Sequence, residues 1–94
     1  MNYKYSIDNF VSYLKEAGYR EYTPSGNLST VYDYAKRIEY VCKKERCSLE
    51  KLADNIERLC KEYDYNGAKE HLGAISHRSV INALKAYKNY VNKG

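Results

Sequence analysis

The stretch Ser76-His77-Arg78-Ser79-Val80-Ile81-Asn82-Ala83-Leu84-Lys85-Ala86-Tyr87-Lys88-Asn89-Tyr90-Val91 decides the fold class. Val80, Leu84, Tyr87 and Val91 recur at i, i+4, i+7 and i+11, and Ile81 and Ala83 widen the stripe. That spacing is one face of an α-helix. Ser76 stands where an N-cap belongs, its hydroxyl able to accept one of the first unpaired backbone N–H groups. A helix over 77–91 is expected.

Upstream, three more segments repeat the pattern. Leu49, Leu52, Ala53, Ile56, Leu59, Cys60 and Tyr63 predict a helix over 49–63, capped by Ser48, with Glu50 in a first turn that favours a carboxylate. Val31, Tyr34, Ala35, Ile38, Val41 and Cys42 predict a helix over 30–45. Ser29 or Thr30 would cap it, and Thr30 and Asp33 have capping-box spacing. Ile7, Phe10, Val11 and Leu14 predict a helix over 6–17 between a Ser6 cap and a Gly18 stop. Pro24-Ser25-Gly26-Asn27 marks a turn-rich connection, and Asn66-Gly67 and Gly73 mark another, with one short helical turn around Lys69–Leu72. Period-2 alternation of β-branched residues is absent, so no strand competes. The expectation is an all-α, four-helix domain spanning 1–94 as one unit, a length that fits the roughly 100–150 residues of typical domains.

Composition limits the function. Apolar residues make up 44% and charged residues 30%, a globular balance rather than a disordered one. No run approaches the ~20 apolar residues of a membrane span. The opening Met1-Asn2-Tyr3-Lys4-Tyr5 has no apolar leader region, so a cytoplasmic protein is expected. Cys42, Cys47 and Cys60 are separated by four and twelve intervening residues, and His71 or His77 could complete a four-ligand zinc set, but Cys42 and Cys60 fall on apolar stripes, where a thiol behaves as a small hydrophobe. Neither His71 nor His77 has a nucleophile–base context, and no phosphate-binding Gly-rich loop occurs. The reading is therefore no enzyme, no metal and no cofactor.

The net charge of +4 is unevenly placed. Residues 1–28 balance to zero, 29–47 carry +2, 48–75 carry −2, and 76–94 carry +4 from Arg78, Lys85, Lys88 and Lys93 with no acid. Arg78, Asn82, Lys85 and Asn89 are spaced to share the face opposite the core, and His77 joins Arg78 in the first turn, where free N–H groups favour an anion. Arg and Asn can reach guanine and adenine edges in a major groove. The same face also suits a merely solvated helix. The twelve Tyr are open to two readings as well. They can line a core with the hydroxyl in water, or serve as stacking platforms and interface anchors. Tyr3, Tyr5, Tyr19, Tyr22, Tyr63 and Tyr65 fall at expected helix ends and connections, where exposure is expected.

From Leu28 onward the chain resembles the core-binding, SAM-like helical domain of phage integrases and other tyrosine recombinases. The likeness rests on Leu28-Ser29-Thr30-Val31-Tyr32-Asp33-Tyr34, on the Ser48-Leu49 opening that runs to Leu59, and on Ser76-His77-Arg78-Ser79 leading to Ala83-Leu84, Tyr87 and Tyr90. It covers about two-thirds of the chain and is a pattern of caps and apolar spacing. It implies a DNA-clamping module with Arg78, Asn82 and Lys85 on the last helix and Lys36 and Arg37 on the second facing DNA. The sequence does not include the recombinase catalytic domain, so the likeness implies either a free-standing relative of the DNA-clamping half or a fragment of a recombinase. The resemblance thus implies an accessory module of a phage or mobile element, and the alternative is an inhibitor or interaction module acting on a host nuclease or other nucleic-acid-handling protein. A homodimer is compatible with either.

Overall fold

The computed structural model describes residues 6–93. Six helices follow one another: α1 (Ile7–Glu16), α2 (Thr30–Glu45), α3 (Leu49–Asp54), α4 (Ile56–Glu62), α5 (Glu70–Gly73) and α6 (Ile75–Asn92). Among the described residues no strand occurs, and the single extended pairing is an antiparallel bridge between Tyr22 and Leu28. No described helix is long and apolar enough to cross a membrane. Tyr3 and Tyr5 of the expected exposed tyrosines lie outside the described residues.

α6 is the organising element and packs against each of the other five helices. Its stripe of Val80, Ile81, Leu84 and Tyr87 is fully buried. Phe10 and Leu14 of α1, Val31, Ile38 and Val41 of α2, and Leu52, Ile56 and Leu59 of α3 and α4 close over it. The Phe10 and Tyr87 rings meet edge to face at 5.0 Å, a geometry that aligns the positive ring edge with the negative face. Tyr63, placed by the sequence both on an apolar stripe and among the exposed tyrosines, is fully buried. Its hydroxyl donates to Glu45 at 2.8 Å.

Two of the expected serine caps form. The Ser6 and Ser48 hydroxyls accept from the backbone N–H groups of Asn9 and Lys51 at 3.1 and 3.2 Å. Gly18, at φ +94°, stops α1, and the next N–H, of Tyr19, returns to the Leu14 carbonyl. Ser29 precedes α2 without a side-chain cap bond, so the Thr30–Asp33 spacing does not make a capping box. Asp33 is used across the core instead.

Two expectations need correction. The single helix over 49–63 is broken at Asn55, whose backbone leaves the helical region at φ −110°, ψ 15°. The Asn55 side-chain amide donates to the Lys51 carbonyl at 2.9 Å, so the side chain competes for a carbonyl that the helix ladder uses. Helix 77–91 does not start on a Ser76 cap either. Ser76, His77 and Arg78 are left-handed, at φ 54°, 58° and 66°, and regular right-handed helix begins after them. The turn is gripped from three places. Arg37 donates to the Ser76 hydroxyl at 2.9 Å and to the Ser79 hydroxyl at 3.3 Å, the Ser79 hydroxyl donates to Asp33, and Arg78 donates to Asp64 at 2.8 Å. These contacts oppose a cost of roughly 1–2 kcal/mol per left-handed residue.

The 19–29 connection is also fixed. Ser29 N–H bonds the Glu21 carbonyl and Val31 N–H bonds the Arg20 carbonyl, which ties the loop base to the start of α2. Its tip turns through Thr23–Asn27, with Gly26 at φ +88°.

Candidate nucleic-acid interface

Seven residues were singled out for nucleic-acid or partner binding, and the structure divides them. On α6, Asn82, Lys85 and Asn89 are exposed on one face, as their spacing requires. The other two, His77 and Arg78, sit in the left-handed turn and not in the first turn of a right-handed helix. The expected anion-friendly array of N–H groups at His77 and Arg78 is therefore not formed.

The charge of the last segment is not left uncompensated. Asp64, in the connection after α4, binds Arg78 through Oδ1 at 2.8 Å and Lys85 through Oδ2 at 3.2 Å. Lys88 pairs with Glu57 at 3.2 Å, and the Lys93 ammonium lies 5.5 Å from the centre of the Tyr13 ring. Hydrogen bonding from Arg78 first, then from the Tyr65 N–H and Lys85, pulls the Asp64 carboxyl down to about 2. The acids that neutralise α6 come from the segment carrying −2, which folding lays alongside it.

On α2 the two expected residues part company. Arg37 turns inward to Asp33, Ser76 and Ser79 and is a brace of the fold. Lys36 turns outward. It shares the outer face with Tyr40 and Lys43, within an arc of about 60° at 100° per residue, and Lys44 flanks them. These residues were not singled out from sequence. No carboxylate of the described residues lies within ion-pair distance of Lys36, Lys43, Lys44 or Arg46. Lys36, Glu39, Tyr40 and Lys43 line a shallow depression of about 280 Å³, and the Lys44 ammonium sits 5.5 Å from the centre of the Tyr40 ring. Glu39 is the one acid in that depression. Four cations without a carboxylate partner thus cluster on α2 and its C-cap, interleaved with an aromatic ring, while Lys51 and Lys61 also lack such a partner among the described residues elsewhere. The signal present in the sequence was the +2 of residues 29–47, which a wheel alone ranks below the +4 of the last segment.

The second notable concavity is an open groove of about 620 Å³ between α4 and α6, lined by Glu57, Cys60, Lys61, Asp64, Tyr65, Lys85, Lys88 and Asn89. Burial pushes the Cys60 thiol up to about 11 and the Cys42 thiol up to about 12, so both stay protonated at neutral pH. Among the described residues no group of three His, Cys, Asp or Glu side chains could hold a metal ion.

Comparison with known protein families, with curated proteins and with solved structures finds no match for this chain.

Proposed function

We propose that the chain is a small nucleic-acid-binding accessory module that grips the DNA phosphate backbone through the outer face of α2. One observation carries the reading. The cations of α6 are engaged by Asp64 and Glu57, whereas Lys36, Lys43, Lys44 and Arg46 have no such partner among the described residues. A lysine already paired releases little when it meets a phosphate, because its carboxylate must be displaced. An unpaired lysine contributes fully to counterion release. Lys36 and Lys43 are separated by about 10.5 Å along the helix axis at 1.5 Å per residue, so they can engage separate phosphates. On this reading Asn82, Lys85 and Asn89 do not anchor the contact. The likeness to recombinase core-binding domains supports the same DNA-clamping use and adds the expectation of a phage or mobile-element setting.

The test is anisotropy of a labelled 20-base-pair duplex across a salt series. Binding should weaken linearly in log–log form with salt, and Lys43→Glu should lower the magnitude of the slope by about 1. Absence of binding at ~50 mM salt and high micromolar protein would sink the proposal, since non-specific affinities run to about 10⁻⁴–10⁻⁶ M.

A second reading has its own support. Tyr19, Tyr22 and Leu28 are exposed at the base of the 19–29 connection, beside the half-buried rings of Tyr34 and Tyr32 at 5.7 and 6.0 Å. Exposed aromatic and aliphatic groups gathered in one place suit a protein partner, such as a nucleic-acid-handling protein that this chain would inhibit or assist. A partner that survives nuclease treatment in a pull-down and is lost with Tyr22→Ala favours this reading over the first.

A further inference from the structure

The groove between α4 and α6 combines features that α2 lacks. Its volume of about 620 Å³ falls within the ~300–1,000 Å³ of small-molecule sites. Tyr65 stands in its wall 64% exposed, and the ring is nevertheless held in place. The Arg78 guanidinium lies 3.8 Å from the ring centre, and Asp64 fixes that guanidinium at 2.8 Å. Arg78 covers one face of the ring, and Tyr65 itself lines the groove. Lys61 lines the groove with no carboxylate within ion-pair distance among the described residues. Lys88 is held only by its contact with the exposed Glu57, a surface pair of the kind an incoming anion displaces readily. Asn89 adds an exposed amide, which both donates and accepts. An immobilised aromatic ring, two cations that can receive an anion and one amide are the elements of nucleotide recognition: base stacking, phosphate neutralisation and a base-edge contact.

We infer that this groove receives a single unpaired nucleotide, with the base on Tyr65, the phosphate between Lys61 and Lys88, and Asn89 at the base edge. The inference takes its setting from the nucleic-acid reading, on which it rests, and narrows the substrate class to strands that offer an unpaired nucleotide. An acidic peptide is the competing occupant. It would use the lysines but gains no stacking from Tyr65.

The experiment is amide-shift mapping of the ¹⁵N-labelled chain with dAMP, inorganic phosphate, a tri-glutamate peptide and a single-stranded oligo-dA of eight nucleotides. Shifts from dAMP should cluster in residues 57–65 and 85–89. Affinity for the oligonucleotide should fall about 5- to 150-fold in Tyr65→Ala and stay within about twofold in Tyr65→Phe, the range expected for loss of one base–aromatic stack. Tyr65 is exposed enough for both variants to fold. Equal binding of phosphate and dAMP, tighter binding of tri-glutamate, shifts mapping elsewhere, or unchanged affinity in Tyr65→Ala would each overturn the inference. Lys36→Glu with Lys43→Glu separates the two readings. If these changes abolish duplex binding but dAMP still maps to the groove, both stand. If wild-type chain binds dAMP in the groove but never binds duplex, the α2 reading falls alone. If it binds duplex but not dAMP, the groove falls alone.

Discussion

Gly73 approaches the backbone of Tyr63 so closely that a Cβ placed on it would overlap the Tyr63 carbonyl oxygen. This contact seats α5 against the end of α4 and brings the chain round to the start of α6. The carbonyl is backbone of a fully buried residue, so relief requires the main chain to shift. Gly73→Ala should therefore force the backbones apart and destabilise the fold by about 1–3 kcal/mol or more, as overpacking does. Urea denaturation followed by circular dichroism measures it, and a change under about 0.5 kcal/mol would contradict the packing.

The Asp64 carboxylate links stability to pH in a definite direction. Its folded value of about 2 lies below its ordinary 3.8, because Arg78 and Lys85 favour the ionised form. Its contribution is complete above the ordinary value and disappears as pH falls through about 2. Urea midpoints of wild type and Asp64→Asn should differ by a constant amount from neutrality down to about pH 4 and converge below it. A gap undiminished between neutrality and about pH 2 would assign the effect to something other than ionisation.

The left-handed turn gives a substitution whose sign is diagnostic. His77 has φ 58° and an exposed side chain. Glycine adopts this conformation without the Cβ penalty, so His77→Gly should stabilise the protein by about 1 kcal/mol. If residue 77 instead belonged to an ordinary helix, the same change would cost roughly 0.5–1 kcal/mol. Thermal and urea unfolding distinguish the two.

For DNA, Lys43→Glu and Lys85→Glu are expected to behave differently although both reverse a charge. The first removes a cation with no carboxylate partner among the described residues, and the second removes one already paired with Asp64. Duplex affinity at 100 mM salt should fall several-fold more for Lys43→Glu, with the larger loss of salt slope on the same variant. Equal effects would place the duplex against both helices.

The parts of this fold legible in the sequence are those decided within one helical turn. Ser6, Ser48 and Gly18 act on neighbours three or four residues away, and the stripes of α1, α2 and α6 follow from spacing alone. The break at Asn55 was hidden because the apolar positions run on across it, from Leu52 to Ile56 and Leu59. The left-handed turn was hidden for the opposite reason. Its determinants are Asp33, Arg37 and Asp64, on other elements, and Ser76 itself reads as an ordinary cap. The charged face of α6 was placed correctly for Asn82, Lys85 and Asn89. Its neutralisation depends on Glu57 and Asp64, whose nearness to α6 is a product of the tertiary fold. Lys43 and Lys44 lie off the apolar stripe of α2, but their significance rests on which other lysines are already engaged.

The 19–29 connection has a practical consequence. Its base is pinned by backbone bonds to the start of α2, and its tip at Pro24-Ser25-Gly26 is exposed and carries no core residue. Foreign sequence spliced between Ser25 and Gly26 would leave from two points already held together, so a fluorophore-binding tag or epitope can be carried there without opening the helices. The chain offers an internal attachment point, on a connection separate from α2, α4 and α6.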